Sequence, residues 1–389
     1  MKKRGLITIP RMPYPLNSGG RIAIYDTIKS LSKKYELVII IIDDNDTNKQ
    51  YLNELGKFSN EVYFFSRNRY SCIINALKGL LQGNSMQVGY FYFMDVQILV
   101  DRLSKNCDFF FAFLIRTTTY GMDLHLKKYH YAIDSMYLNY KNSESNTKSF
   151  LWKLIYKIEI PLLFKAEQKQ IKKYDFTTFV NKQEASYWKQ YGNVKTLSHG
   201  VNESILNYQK TDSKYSNVVA FIGRMDYRPN IDAVLWFCNN VLIQLDKNIE
   251  FWILGGFSTS EILKLADKYE NVKVLGYMED PYVVLRSCIC TVAPMQTGGG
   301  LQTKVLMAMA VGSIVVSTSL PVIAIENAEN NVNILVEDDP RKMAIKINNI
   351  YENPTVYQYI KKNAHKLIER TYSLDVIERN LFDIIENNL

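Results

Sequence analysis

The sequence predicts an α/β protein made of two doubly wound, Rossmann-like domains, each a parallel sheet covered by helices on both faces. Three observations carry this. The chain has 389 residues, more than one comfortable core at roughly 100–200 residues per domain. Short, continuously apolar runs alternate with helical patterns, as expected of strands buried on both faces of a parallel sheet. The alternation stops in a polar, turn-rich stretch at 202–216 and then begins again.

In the first half the strand candidates are 6–9, 37–42, 62–65, 109–114, 131–133 and 177–180, separated by periodic stretches such as 21–33 and 152–173. After the 202–216 linker the order is strand 218–222, helix 230–245, strand 251–254, helix 261–269, and strands 272–275 and 290–293. A helix at 301–310 and strands at 314–317 and 333–336 complete it. Beyond Pro340 the chain reads as helical, with Pro354 punctuating the start of a second helix. Leu374, Ile377, Leu381, Ile384 and Ile385 recur at helical spacing and need a surface to cover. The resulting division is 1–200, 217–372, and a closing helix at 373–389 for which the first domain is the candidate surface.

Composition narrows the class. Hydrophobic residues at 47% with charged residues at 22% describe an ordinary globular chain rather than a disordered or collagen-like one. The 47 Lys+Arg against 39 Asp+Glu give +8, which suits anionic ligands or an anionic membrane surface and selects neither. Basic runs such as Lys172-Lys173 and Lys361-Lys362 are short, and no basic stripe is interleaved with aromatics, so nucleic acid is not an expected partner. The five cysteines are odd in number, scattered and set in apolar segments, a pattern of buried thiols in a reducing compartment. No metal-ligand spacing occurs, and no metal or cofactor is expected. The apolar run after Met1-Lys2-Lys3-Arg4 is too short for a signal peptide, and none approaches the roughly 20 residues of a membrane helix. Cytoplasmic residence is the default.

In open parallel sheets ligands gather where strands exit into helix N-termini, which favour anions. The strongest motif at such a place is Pro294-Met295-Gln296-Thr297-Gly298-Gly299-Gly300-Leu301-Gln302-Thr303-Lys304, between an apolar strand and a helix. Three glycines let the backbone approach a ligand closely, a diphosphate fits the amides of a helix start, and Lys304 adds a cation. A lone triplet is better explained as a tight turn, with Lys304 facing water. The triplet has company, however. Gly223-Arg224-Met225-Asp226-Tyr227-Arg228 follows the first strand of the second domain, and an arginine fork suits paired phosphate oxygens; a surface ion pair is the competing reading for Arg224 and, more strongly, for Arg228. Gly276-Tyr277-Met278 follows another strand and offers backbone groups and an aromatic ring to a nucleobase, with plain packing an equal alternative for Tyr277.

In the first domain, Gly19-Gly20 sits in the loop between the first strand and first helix and allows close approach, without the GxGxxG spacing of a dinucleotide fingerprint. Asp134 leaves the 131–133 strand and is a candidate base or acceptor of a sugar-hydroxyl hydrogen bond; capping the next turn is the alternative.

Together these residues resemble the GT-B glycosyltransferases, in particular the retaining, nucleotide-sugar-dependent enzymes (family 4-like) of bacterial surface-polysaccharide assembly. The resemblance spans nearly the whole chain. It rests on Pro15-x-x-Ser18-Gly19-Gly20-Arg21, Asp134-Ser135-x-x-Leu138, His199-Gly200-Val201-Asn202 and Phe221-x-Gly223-x-Met225-x-Tyr227-x-Pro229-Asn230-x-Asp232-Ala233. Its clearest piece is Pro294 with Gly298-Gly299-Gly300, Lys304-Val305-Leu306-x-Ala308-Met309-Ala310 and Gly312. It implies two domains facing across a cleft, a nucleotide-sugar co-substrate held by the second and a glycan or lipid-linked acceptor by the first, with no metal required. Arg224 and Lys304, with Asp134 in the first domain, then fall at catalytic positions. Gly19, Gly20, Arg228, Tyr277, Met278, Gly298, Gly299, Gly300, Leu301 and Met307 fall at donor-binding ones.

The chain departs from the family pattern in two places. Met307 stands where a glutamate is expected to hold the donor ribose, and Gln296 where an arginine is common; Gly299 occupies the upstream acidic position. A thioether cannot accept two hydroxyl hydrogen bonds as a carboxylate does. Glu326 is a substitute ribose contact, and a degenerate subunit that binds another glycosyltransferase is the alternative function.

Two further segments invite other readings. Asp44-Asn45-Asp46 imitates the Asp-x-Asp of metal-dependent single-domain enzymes but reads as a solvated loop. The 67–81 segment mixes basic and apolar residues as an interfacial helix does, which admits peripheral contact with the inner face of a membrane; a core-facing helix is the simpler explanation.

Overall fold

The computed structural model describes residues 2–16, 18–43, 45–59, 61–147, 150–298 and 300–387. The chain divides into two compact units. Residues through Ser198, joined by those from Glu378 onward, form the first, and His199–Ile377 form the second.

The strands of the first unit are β1 (Arg4–Ile9), β2 (Glu36–Asp43), β3 (Glu61–Ser66), β4 (Phe109–Phe113), β5 (Lys127–Ile133), β6 (Phe176–Phe179) and β7 (Val194–Thr196). They form one parallel sheet in the order β3-β2-β1-β4-β5-β6-β7. The central strands are largely apolar because helices cover both faces: Leu6, Ile7, Ile39, Ile40, Phe110 and Ala112 are fully buried. The Phe109 ring fills the space that a Cβ on Gly5 of β1 would need, so Gly5 is fixed by packing. The sequence pattern missed β7, whose three residues are too few to show a period.

The long helix Phe150–Lys173 carries two buried carboxylates, Glu159 and Glu167. Each is satisfied by the start of another helix. Glu159 accepts from Met86 N and Gln87 N at 2.9 Å and from the Ser85 hydroxyl, fixing the short helix Met86–Tyr90. Glu167 accepts from the Ser135 hydroxyl at 2.6 Å and from Tyr137 N at 3.1 Å, at the start of the helix Met136–Asn146. The free amides at helix N-termini favour the charged form of a carboxyl group and offset part of the cost of burying it.

The second unit contains β8 (Val218–Ile222), β9 (Glu250–Leu254), β10 (Val272–Gly276), β11 (Cys290–Ala293), β12 (Val315–Ser317) and β13 (Leu335–Val336). Their order, β10-β9-β8-β11-β12-β13, is again parallel and doubly wound. Its core is built from Val219, Phe221, Phe237, Phe251, Ile253 and Val316 among others.

Three boundaries differ from the sequence reading. The 202–216 stretch holds a helical turn, Glu203–Leu206, and a 3-10 turn, Ser213–Tyr215, whose buried Tyr215 packs edge-on against Trp252 at 5.2 Å. It is a packed connection rather than a loose tether. The helix expected at 230–245 is Arg228–Asn240 followed by a 3-10 turn, Leu242–Gln244. The helix expected from 301 begins at Thr303, because Gly298 and Gly300 adopt φ of +102° and +75° and extend the loop.

The last helix, Leu374–Glu386, leaves the second unit and from Glu378 onward belongs to the first. There it meets the end of the helix Gly19–Lys34: Lys33 pairs with Glu378 at 2.7 Å, Lys34 with Glu386, and Tyr35 with Phe382. Among the described residues no helix is long and apolar enough to cross a membrane.

Candidate active site

In the second sheet the winding reverses between β8 and β11, which lie side by side although two strands intervene in sequence. Ligands of such sheets bind beyond the strand ends at this switch point. The loops that leave these two strands are the 223–228 and 294–302 segments, so the two strongest sequence motifs meet here.

The two loops are joined through one residue. Lys304, the second residue of its helix, donates its ammonium to Asn230 Oδ1, and Asn230 Nδ2 donates to the Arg224 carbonyl at 2.9 Å. Lys304 therefore does not face water. It lies 4.6 Å from the centre of the Phe221 ring and 3.4 Å from Met295 Sδ, and burial pushes its pKa down to about 7. An ammonium so poorly solvated gains much from an arriving anion. Asn230 itself is buried. Its site role escaped the sequence reading although it stands inside the Tyr227-x-Pro229-Asn230 motif, because nothing in the sequence tells a packed asparagine from one spanning two loops.

Arg224 is half exposed and forms a forked pair with Asp226, Nε to Oδ1 at 3.0 Å and the second fork nitrogen to Oδ2 at 2.6 Å. Its guanidinium also lies 4.8 Å from the Phe257 ring. A solvent-exposed pair of this kind is worth little, about 0–1 kcal/mol, so an incoming diphosphate can displace Asp226 at small cost. Arg228 is more heavily committed: it bonds Asp232 at 2.6 Å and Glu261 at 3.2 Å, bracing the start of its own helix. The surface-ion-pair description fits Arg228 as it stands.

Glycines hold the neighbouring strand exits together. Gly223 N donates to Leu254 O at 2.9 Å, Met225 N to Gly256 O at 3.0 Å, and Gly255 N to Gly276 O at 2.8 Å. Gly255 has φ of +141°, and the Gly223 carbonyl occupies the space of its missing Cβ. Beside this layer Tyr277 is 82% exposed, Met278 is half-buried, and Gly276 adopts φ of +67°.

In the glycine triplet, Gly298 packs on Pro229, whose Cβ lies 3.3 Å from where a side chain on Gly298 would begin. Leu301 is buried behind the loop, and Gly299 lies outside the described residues. Met307, one turn beyond Lys304, is half-buried with its sulfur 3.9 Å from the Tyr282 hydroxyl. Glu326 is exposed, with its amide donating to the Tyr372 hydroxyl at 2.6 Å.

In the first unit Gly19 and Gly20 open the helix Gly19–Lys34, and nothing lies within 4 Å of where a Cβ on Gly20 would be. Asp134 follows β5, and burial pushes its pKa up to about 6. The capping role considered for it falls instead to Ser135, whose hydroxyl accepts from Leu138 N at 3.2 Å. Two glutamates share this corner: Glu184 accepts from Ser135 N at 2.8 Å, and burial raises Glu184 to about 8 and Glu167 to about 7. Asp44 of the Asp-x-Asp lies outside the described residues. Among the described residues no group of three or more His, Cys, Asp or Glu is arranged to hold a metal ion.

Comparison with known proteins bears on the fold and on the second unit. Residues 216–353 match the family model described as glycosyl transferases group 1, a span that contains both switch-point loops. No curated protein matches the sequence. Among solved structures, Anabaena HepE in complex with UDP and glucose superposes with a TM-score of 0.69 at 15% identity, covering 99% of this chain and 100% of that one. The sucrose-phosphate synthase of Thermosynechococcus elongatus gives 0.69 at 11% identity, with 99% of each chain covered. WaaG, a glycosyltransferase involved in lipopolysaccharide biosynthesis, gives 0.66 at 14% identity over 98% of this chain and 99% of that one. The chain thus has the GT-B fold, and its residues 216–353 match the glycosyl transferases group 1 model.

Proposed function

We propose that the protein transfers a sugar from a nucleotide-sugar donor to a glycan or lipid-linked acceptor in polysaccharide biosynthesis, with retention of configuration and without a metal ion. The observation that carries this reading is the Lys304–Asn230–Arg224 link at the β8/β11 switch point. It gathers a poorly solvated ammonium, an exchangeable guanidinium and a glycine loop where a departing diphosphate needs charge stabilisation. Gly298 and Gly300 face the phosphates with Leu301 packed behind them, and Tyr277 and Met278 form the wall for the base. Met307 stands toward the ribose, and Arg228 supports the helix start. In the first unit Gly19 and Gly20 are donor contacts, and Asp134, with a pKa near 6, accepts a proton or a hydroxyl hydrogen bond. Solved HepE complexes contain UDP and UDP-glucose, which makes uridine nucleotides the first donors to try. Retention rests on the family resemblance.

The protein works at the inner face of a membrane. Tyr70, Ile73, Ile74, Leu77 and Leu81 form one exposed stripe of the helix Arg69–Leu81, and Phe150, Leu151, Leu154 and Ile158 are exposed at the start of Phe150–Lys173. The short helix Met86–Tyr90 packs against both. Arg69, Lys78, Lys153 and Lys157 flank these apolar residues, as suits an anionic lipid surface.

A screen of nucleotide sugars by calorimetry, followed by transfer assays with the binders, tests the function. Absence of binding by every nucleotide would sink it. Met307 motivates a second reading, a non-catalytic subunit bound to another glycosyltransferase. Tight capture of such a partner by a chain that binds no nucleotide would establish that instead.

A further inference from the structure

The first unit contains a second concentration of positive charge, whose members the sequence motifs did not bring together. A cavity of about 580 Å³ opens beyond the ends of its strands, and Arg11, Arg21, Arg67 and Arg116 all line it. The four are far apart in sequence. Arg11 follows β1, Arg21 stands in the first turn of the helix after β1, Arg67 follows β3, and Arg116 follows β4. In the order β3-β2-β1-β4 these exits are neighbours, and the winding of this sheet reverses between β1 and β4. The cavity therefore occupies the first unit's own switch point, where a doubly wound sheet binds ligands.

Its walls are built. The Arg67 guanidinium lies 4.1 Å from the centre of the Phe91 ring and Arg116 lies 4.9 Å from the same ring, so one aromatic side chain orients two cations. Arg67 is buried, and its amide donates to the Asp43 carbonyl at 2.6 Å. Among the described residues Asp43 is the one carboxylate in the wall, and it accepts from Met12 N at 2.6 Å and from Asn45 N and Asn48 Nδ2 at 3.0 Å, holding the turn that leaves β2. Among the described residues the lining thus gathers four guanidinium groups around one carboxylate that serves the fold. The volume is that of a small-molecule site, roughly 300–1,000 Å³.

We infer that this cavity binds a phosphate group on the acceptor, so that the sugar is delivered to a phosphate-bearing molecule. This rests on the glycosyltransferase reading and names its acceptor class. A phosphate monoester carries nearly two negative charges at neutral pH and three oxygens for forked donors, whereas a uronic acid offers one charge. Two sources share this chemistry, a soluble sugar phosphate and the headgroup of a phosphorylated lipid. Arg67 lies two residues before the helix whose exposed face is the proposed membrane contact.

The test uses the full chain and calorimetry with glucose 1-phosphate, glucuronate, glucose and, separately, UDP. Flotation with phosphatidylcholine vesicles, plain or carrying polyprenyl phosphate, is run alongside. The expected result is binding of glucose 1-phosphate or of the phosphorylated vesicles, with glucose and glucuronate much weaker. Which of the two binds identifies the source. Arg116→Gln, and the exposed Arg11→Gln, which leaves the core untouched, should each weaken phosphate binding about tenfold while UDP affinity stays within about twofold. If UDP binds and no phosphate probe does, the inference fails and the glycosyltransferase reading stands; if neither binds, both fail. Equal binding of glucuronate overturns the phosphate assignment. Loss of UDP affinity in the arginine variants overturns the acceptor assignment, because the cavity then holds the donor.

Discussion

Asn230 and Lys304 lie 74 residues apart and meet at the switch point of the second sheet, the amide oxygen accepting from the ammonium while the amide nitrogen holds the Arg224 carbonyl at 2.9 Å. One side chain thus touches one of the cations proposed to meet the donor diphosphate and the backbone of the residue that carries the other. Asn230→Ala should cost about 1–3 kcal/mol of stability by leaving a buried donor short of a partner, and should weaken UDP binding. Asn230→Asp keeps an acceptor for Lys304 but loses the donor to the Arg224 carbonyl, so its melting temperature should fall as well. Its charge pairs with Lys304 and competes with diphosphate, so UDP affinity should fall tenfold or more, further than in Asn230→Ala (about 1.4 kcal/mol per decade). If both variants bind UDP as the parent does, the link has no part in donor binding.

Lys304 also makes donor binding depend on pH. Burial lowers its pKa to about 7, and a diphosphate needs the ammonium form, so UDP affinity should decline as pH rises from 7 to 9, approaching about tenfold per unit. Lys304→Arg stays charged across that range and should flatten the profile. The stability effect has the opposite sign. Between about 7 and the ordinary lysine range the unfolded chain holds a proton that the folded one has released, so this residue's destabilising contribution shrinks as pH rises. Isothermal titrations at pH 6, 7, 8 and 9 check the first statement. A flat profile in the parent protein would remove Lys304 from the phosphate site.

Met307 follows Lys304 by three residues on the helix Thr303–Ala310, one turn further along the same face. Its thioether offers no paired acceptors to a ribose. Met307→Glu should strengthen UDP binding about tenfold or more, the worth of one or two hydrogen bonds to a charged acceptor. The gain should disappear with 2′-deoxy-UDP, which lacks one of the hydroxyls. An equal gain for the deoxynucleotide would mean that the glutamate acts through general electrostatics rather than on the ribose.

The fold was legible because each buried strand is a compact apolar run, as in 37–42, and each glycine loop punctuates a strand end. The site was legible in proportion to how local it is. Gly298, Gly300 and Lys304 belong to one segment and announce themselves; Asn230 needs the fold to bring it to Lys304. The arginine cavity was invisible because its members at 11, 21, 67 and 116 share only a sheet edge, and each alone is an ordinary basic residue. The burial of Lys304 was equally hidden, since a lysine in a first helical turn usually reaches water. Ser135, rather than Asp134, caps its helix because Glu167 arrives from a helix 14 residues further along the chain, a partner that no local pattern specifies.

That corner of the first unit supplies a second pH-dependent property. Burial raises Asp134 to about 6, Glu167 to about 7 and Glu184 to about 8, and the neighbouring Asp134 charge adds to the shift of Glu184. All three shifts are upward, so between about pH 4 and 8 the folded chain holds protons that the unfolded chain has released. Stability contributed here is therefore complete in mild acid and is lost as pH rises toward 8. Glu184→Gln keeps an oxygen to accept from Ser135 N and removes the ionisation, so its melting temperature should match the parent near pH 5 and exceed it at pH 8. Glu167→Ala instead strips the Ser135 hydroxyl and the Tyr137 amide of their acceptor, and should destabilise by about 1–3 kcal/mol at both pH values. Thermal melts at pH 5, 6.5 and 8 distinguish the two behaviours. A Glu184→Gln protein that differs from the parent by the same amount at every pH would show that this carboxyl does not titrate in that window. Asp134→Asn supplies the functional counterpart: with Glu167 still holding the helix start, a fall in transfer rate at a melting temperature no lower than the parent's would mark Asp134 as the proton acceptor.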